Sequence, residues 1–176
     1  LDTVTVDLDP ASVTSSVVRL DEVAIAGARL NAEQKGAATN LSTILKNVRA
    51  ASGEEAPAAD PEDPTDVRLS LSRFAFTDTK ATLTTEQYGK ASLRVPDVVR
   101  TDMGDPATGL MPAELARQLL EAVLKEAQDA VGGALADRAK DAATEAAKDK
   151  LKNKLNLSDD DMESAEGALK SLFKGD

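Results

Sequence analysis

The side chains of this chain that could do chemistry are carboxylates, hydroxyls and bases, because the sequence contains no His and no Cys. The commonest general base and metal ligand is therefore missing, and so is any thiolate nucleophile. Ser171 and Lys174 have the S-x-x-K spacing of penicillin-binding enzymes, but the chain has no S-D-N or K-T-G segment to complete that site. We therefore interpret this match as a coincidence.

Two runs of carboxylates have the oxygen ligands that a hard cation such as Ca²⁺ prefers. Asp7 and Asp9 lie near the start of the chain, and Asp159–Asp161 lie near its end. Both have a simpler interpretation, as the solvent side of a strand and as the first turn of a helix, where negative charge is favoured. We expect no metal, no cofactor and no catalytic residue, and we predict that the protein is not an enzyme.

The overall charge argues against a nucleic-acid partner. The chain has 21 basic and 31 acidic residues and a net charge of −10, so a phosphate backbone would be repelled. No apolar run approaches the ~20 residues that cross a bilayer. Aromatic residues make up 2% of the chain, which predicts a thin core such as one sheet with a helix laid on it.

The elements that must position these residues include a stretch that occurs twice, 51 residues apart. Both copies have the same apolar positions, then a turn residue (Gly27, Asp78) and a base (Arg29, Lys80). A duplicated strand pair is typical of a modular β surface whose units share one core. The repeated apolar residues form the candidate sheet face, for contact with a lipid or a helix: Val18, Leu20, Val23, Ile25, Leu69, Leu71, Phe74 and Phe76.

The strand patterns add detail to these two units. Val4, Val6 and Leu8 alternate with polar residues, which predicts a half-buried strand over residues 3–9. A bulge at Asp21–Glu22 is predicted, because Val23 follows Leu20 by three positions, an odd number, although both belong to the apolar face. Further strands are predicted at 17–25, 28–34, 67–76, 79–86 and 90–95.

A short helix and an acidic connector separate the two units. Asn40 is predicted to cap the helix, whose apolar stripe is Leu41, Ile44, Leu45 and Val48. Residues 52–66 contain six acids, three prolines and no base, which is typical of a solvated linker. A calcium site is an alternative there, but the spacing fits no EF-hand loop.

Residues 112–156 predict a long helical region that begins at Pro112. Its first half is amphipathic and could dock on its own sheet, on another chain or on a membrane; the mixed charge of the polar side favours its own sheet. Gly132–Gly133 predicts a break or a hinge, and the Ala-rich segment beyond it has little to bury without a partner. The predicted packing face is Leu115, Leu119, Val123 and Val131.

Several motifs of this chain resemble the AsmA-like family of bacterial envelope proteins. Residues 17–53, VVRLDEVAIAGARLNAEQKGAATNLSTILKNVRAASG, are similar to the family's order of strand, D-E, apolar strand, Gly, strand, N-L and short helix. The segment PDVVRTDMG and residues 109–114 are similar to its P-D-I strand, D-x-G turn and G-x-T-P-A-E helix start, although Met111 stands where the family usually has Thr. The resemblance covers residues 3–131.

The resemblance implies a non-enzymatic periplasmic protein, anchored in the inner membrane through a segment that is not in this chain. It implies β repeats that bind lipid acyl chains or an envelope protein partner, in the homeostasis of the outer membrane. The alternative is a structural or assembly subunit whose Ala-rich helix pairs with copies or partners.

The expected fold class is α+β. We expect an antiparallel sheet of two related strand units, a short helix between the units, and a long C-terminal helix packed on the sheet. The expected domains are a β-repeat domain at residues 1–131, with its packing helix and the linker, and a helical tail at residues 132–176.

Overall fold

The computed structural model describes residues 1–36, 38–50 and 67–155. The acidic linker and the C-terminal motifs that contain Ser171, Lys174 and Asp159–Asp161 lie outside the described residues. The elements are β1 (Thr3–Leu8), a single 3-10 turn (Pro10–Ser12), β2 (Val17–Ala26), β3 (Arg29–Lys35), β4 (Ala38–Thr39), α1 (Asn40–Ala50), β5 (Arg68–Thr77), β6 (Lys80–Thr85), β7 (Gly89–Arg94), β8 (Val98–Met103) and α2 (Pro112–Leu155). The predicted α+β class is confirmed.

The 51-residue repeat is also the register of the sheets. β2 pairs in parallel with β5, with Val18 opposite Leu69, and β3 pairs in parallel with β6, with Arg29 opposite Lys80. Each repeated residue therefore lies directly beside its counterpart. The arrangement differs from the single antiparallel sheet that was expected: two mixed sheets form, because each unit passes from the first sheet into the second at Gly27 or Asp78.

An antiparallel strand lies at each edge of both sheets, beside the central parallel pair. The first sheet has the order β1-β2-β5-β8, and the second has the order β4-β3-β6-β7. In each sheet the two central strands belong to the repeat, and the two outer strands run antiparallel to their neighbours. The parallel pairing of the repeat therefore ends at these outer strands, and the described part of the chain forms an array of two units.

A bulge keeps the apolar residues of β2 on one face. Asp7 lies opposite Glu22 while the next residue, Leu8, lies opposite Leu20, so Asp21 is an extra residue in β2. Leu20 and Val23 both pack against the core although they are three positions apart, an odd number. The predicted bulge at Asp21–Glu22 is therefore confirmed.

One hydrophobic core cluster lies between the first sheet and the first half of α2. Its buried residues are Ala28, Leu71, Phe74, Phe76, Val98 and Leu115. Half-buried residues of α2, including Leu119, Ala122 and Val123, pack around that cluster. The amphipathic half of α2 thus docks on its own sheet, as the mixed charge of its polar side predicted.

The cap of α1 is Thr39 and not the predicted Asn40. The Thr39 Oγ1 accepts a hydrogen bond from the Ser42 N–H at 3.1 Å, and the Ser42 Oγ accepts one from the Thr39 N–H at 3.2 Å. This reciprocal pair satisfies two backbone donors at the helix start. Asn40 instead joins α1 to β3: its Oδ1 accepts from the Glu33 N–H at 2.9 Å and its Nδ2 donates to the Asn31 carbonyl at 3.0 Å.

The predicted break at Gly132–Gly133 is wrong, because both glycines lie inside α2. Two glycines in a helix cost about 1 kcal/mol each relative to Ala, and the helix-forming residues on both sides of them offset that cost. Pro112 is the first residue of α2, as predicted. The chain divides into two compact units, Leu1–Ala134 and Leu135–Asp176.

Two valines on opposite edges of the first sheet test how its face is covered. Val98 of β8 is 1% exposed and Val6 of β1 is 57% exposed. We expect Val98→Ala to lower the free energy of unfolding by about 2 kcal/mol, because it removes two buried methyl groups and leaves a cavity. The matched Val6→Ala should cost about 0.5 kcal/mol or less in the same urea titration. Equal losses for the two variants would contradict this account of the core.

Candidate functional site

The structure brings most of the predicted face residues together in one hydrophobic cluster. The members from β2 and β5 are Leu20, Val23, Ile25, Leu69, Leu71, Phe74 and Phe76, and those from the predicted helix face are Leu115, Leu119 and Val123. Val18 is half-buried opposite Leu69, and Val131 is buried outside this cluster. Helix α2 is therefore what covers the β5 side of the face.

Three apolar residues of β1 extend the same face beyond the helix. Residues directly opposite each other in an antiparallel pair point to the same side of the sheet. The pairs between β1 and β2 are Val4 with Ile25, Val6 with Val23, and Leu8 with Leu20. Since the β2 partners belong to the core face, Val4, Val6 and Leu8 lie on it too, and we call these three residues the β1 strip.

The β1 strip is exposed, so the prediction of a half-buried strand is wrong. Val4, Val6 and Leu8 are 55%, 57% and 39% exposed, whereas Leu71 and Phe74 of β5 are 1% and 2% exposed. Burial thus falls steadily from β5 through the half-buried residues of β2 to β1. The alternating pattern identified the correct face, but it carried no information about what covers that face.

β1 is also an open edge of the first sheet. In the described part of the chain it pairs with β2 alone, and its sequence TVTVDL has no Lys, Arg or Pro. Those residues commonly protect sheet edges from further pairing. The opposite edge, β8, contains Arg100 and a left-handed Asp102 with φ of 54°. An edge strand with one charged residue, Asp7, and three exposed apolar side chains is a typical interaction surface.

A polar cluster fixes the end of β1. Asp9 accepts hydrogen bonds from the Arg19 side chain, at 3.1 Å from Nε, and from the Ala11 N–H at 2.9 Å. The buried Ser12 Oγ accepts from the Arg19 N–H at 2.9 Å and donates to the Asp9 carbonyl at 2.7 Å. The Arg19 side chain, followed by the Ala11 N–H, holds the pKa of Asp9 below its usual range.

A second carboxylate has the same structural role in the turn before α2. Asp105 Oδ1 accepts hydrogen bonds from the N–H groups of Ala107 and Thr108, at 2.8 and 3.0 Å. These two bonds hold the pKa of Asp105 below its usual range. Among the described residues, no group of three or more carboxylates is placed to hold a metal ion. The two perturbed carboxylates therefore serve turns of the fold.

The structure adds a charged recess that the sequence pattern did not reveal as a site. The recess has a volume of about 550 Å³ and is lined by bases from three neighbouring strands, Arg29, Lys80 and Arg94. The repeat had already related Arg29 to Lys80. The position of Arg94 depends on the register of the β6–β7 hairpin, which places it opposite Lys80.

Comparison with family models, curated proteins and solved structures finds no match for this chain. Within residues 1–36, 38–50 and 67–155, no helix is both long enough and apolar enough to cross a membrane. The family assignment consequently depends on the sequence motifs and stays a prediction.

The pKa of Asp9 gives a prediction about stability and pH. A carboxylate whose folded pKa is lowered stabilises the fold above its unfolded pKa, and that contribution is lost as the pH falls through the folded pKa. We expect Asp9→Asn to lower the free energy of unfolding at about pH 7 and to have little effect at about pH 2, as measured by urea denaturation. Asp7→Asn, the same charge change on exposed β1, is the control and should have little effect at either pH. A loss for Asp9→Asn that is equal at both pH values would contradict the prediction.

Proposed function

We propose that this chain is a non-enzymatic, AsmA-like module of the bacterial envelope. It binds a lipid acyl chain, or an apolar segment of an envelope protein, through the open side of its first sheet. The observation that carries this proposal is the β1 strip, where the core face continues for three residues past the helix that covers the rest of it.

The shape of the β1 strip suits an extended apolar ligand. Alternate residues of a strand repeat every ~6.7 Å, so the three side chains form a row about 13 Å long. The half-buried side chains of Leu20, Val23 and Ile25 lie beside that row on β2. A ligand lying along β1 would remove apolar surface on both strands from water, at roughly 25 cal/mol for each Å².

The position of α2 moves the proposed site away from the centre of the predicted face. Leu71, Phe74 and Phe76 on β5 are already in contact with the helix cluster. A ligand that bound there would have to displace buried leucines of α2, at a cost of about 2 kcal/mol or more for each side chain. We therefore place the ligand on β1 and β2, and assign Leu71, Phe74 and Phe76 to the core.

The number of repeat units limits the size of the proposed binding face. Two repeat units between antiparallel outer strands support a local binding face, because a continuous conduit would need further units beside them. The resemblance in the motifs supports a location in the periplasm. The proposed role is therefore local capture of a lipid or partner in outer-membrane homeostasis.

Two substitutions on neighbouring residues of β1 test the proposed ligand. Val6→Asp places a carboxylate in the β1 strip, and the control Thr5→Asp places the same charge on the opposite side of the strand. We expect wild-type protein, purified gently from a bacterial host, to carry lipid in native mass spectrometry. Val6→Asp should lower lipid occupancy about tenfold or more, because a carboxylate is costly in an apolar contact, while Thr5→Asp should retain the lipid.

The same experiment separates the ligand classes. Wild-type protein could instead carry no lipid but bind an apolar peptide. If Val6→Asp abolishes that peptide binding and Thr5→Asp does not, the ligand is a protein partner. Wild-type protein that binds neither lipid nor peptide would overturn the proposed function.

A second candidate function is assembly through the second compact unit. The described side chains of residues 139–147, in the Ala-rich part of α2, are all exposed. Ala139, Ala143 and Ala146 recur at steps of four and three residues, which places them on one side of the helix. A helix with this small apolar side gains stability mainly by packing against another helix.

Light scattering of the full chain tests the assembly candidate. We expect the average mass to rise with protein concentration, and Ala143→Asp to reduce that rise by about tenfold in the association constant. Thr144→Asp is the control, because residue 144 lies to the side of the Ala row. A constant monomer mass at all concentrations would exclude self-assembly.

A further inference from the structure

Three bases stand side by side across the second sheet. Arg29 of β3 lies opposite Lys80 of β6, and Lys80 lies opposite Arg94 of β7. Directly opposite residues share a face and adjacent strands are ~4.8 Å apart, so three positive side chains start within about 10 Å of one another. Like charges placed this way repel each other, which destabilises the sheet unless negative groups offset them.

Two carboxylates form ion pairs with the outer bases of this row, and neither pairs with the middle base, Lys80. Arg29 Nη2 lies 3.1 Å from Asp2 Oδ1, and Arg94 Nη2 lies 2.7 Å from Asp78 Oδ1. All four side chains are at least 60% exposed, and exposed pairs of this kind contribute little to stability. The Lys80 side chain has no hydrogen bond or ion pair with the described part of the chain.

The surroundings of Lys80 can complete an anion site. The recess of about 550 Å³ is lined by the three bases and by the hydroxyl side chains of Thr82 and Ser92. Thr82 lies opposite Ser92, one step along the same face from the row of bases. A recess of this size is in the range of small-molecule sites. The three bases and the two hydroxyl groups can donate hydrogen bonds to a ligand, and the acceptors are the carboxylates of Asp2 and Asp78 and the hydroxyl oxygens.

We propose that the row formed by Arg29, Lys80 and Arg94 binds a phosphate monoester. A phosphate monoester has a charge of about −1.5 to −2 and three acceptor oxygens, so several separated donors can contact it at once. Guanidinium groups bind phosphate through two parallel hydrogen bonds, and an ammonium group acts as a compact point charge. A carboxylate ligand has only two oxygens and would contact fewer of these donors than a phosphate does. The chain's own carboxylates, Asp2 and Asp78, already pair with the two arginines.

Ligand binding at this row is a competition with Asp2 and Asp78. The phosphate contacts Lys80 first and then exchanges with the two carboxylates on the arginines. The backbone at Asp78 can remain in place during the exchange, because its N–H is bonded to Asp97 Oδ1 at 3.2 Å. The phosphate site uses the second sheet and does not depend on the β1 strip, so it can fail while the proposed function holds, and the reverse is also true.

Calorimetric titration of the full chain with inorganic phosphate and with glycerol 3-phosphate tests the site. Lys80→Ala should weaken binding about tenfold, which is the usual effect of removing a hydrogen bond to a charged group. Lys46→Ala, which removes the same charge from the exposed face of α1, should leave the affinity unchanged. Asp78→Asn should tighten binding about threefold, because it removes the competing charge and Asn tolerates the left-handed backbone at this position.

Vesicles distinguish the source of the phosphate. Binding to phosphatidylcholine vesicles that contain phosphatidic acid, with none to phosphatidylcholine alone, would assign a lipid headgroup. Binding of glycerol 3-phosphate without vesicle binding would assign a soluble phosphate ester. The proposal is overturned if neither glycerol 3-phosphate nor the vesicles that contain phosphatidic acid bind saturably. It is also overturned if Lys46→Ala weakens binding as much as Lys80→Ala, or if Asp78→Asn fails to tighten binding.

Discussion

The in-register parallel pairing of the two repeat units is the constraint on which the rest of this structure depends. The same 51-residue offset relates β2 to β5 and β3 to β6, so each unit must leave the first sheet at the same point. Gly27 and Asp78 occupy that point with φ of 70° and 53°. The pairing puts apolar residues beside apolar residues in the core. It also puts Arg29 beside Lys80, so one register creates both apolar contacts in the core and a repulsive contact between two bases.

The width of a single helix explains why β1 remains open. An α-helix with its side chains is about 10–12 Å wide, while the axes of four strands spaced ~4.8 Å apart span about 14 Å. One helix laid against β5 and β8 therefore reaches the half-buried residues of β2 and leaves the side chains of β1 in water. A second helix on this sheet would close the face. Within the residues that the structure describes, the exposed strip thus follows from the ratio of one helix to four strands.

The features that could be predicted from the sequence are those that depend on residues close together along the chain. The apolar positions of both units, the bulge at Asp21–Glu22 and the helix start at Pro112 follow from local spacing and backbone chemistry. Parallel pairing was missed, because alternation within a strand does not say which strand lies beside it. The capping role of Asn40 went to Thr39, because both types can cap and only the contact with β3 separates them. Arg94 was missed as a site residue because a hairpin register brings it to Lys80.

We call the point where each unit passes from the first sheet into the second, at Gly27 or Asp78, its corner. Both corners pair an arginine with a carboxylate, but the carboxylate comes from a different part of each unit. In the second unit the corner residue itself, Asp78, supplies the carboxylate that pairs with Arg94. In the first unit the corner residue is Gly27, and the carboxylate of Asp2 comes from the start of β1 to pair with Arg29. A Cβ atom on residue 27 would lie 2.1 Å from Asp2 Oδ2, so glycine is what makes room for that carboxylate. Each arginine thereby gains one acid, and Lys80 between them carries the positive charge that the corner leaves unbalanced.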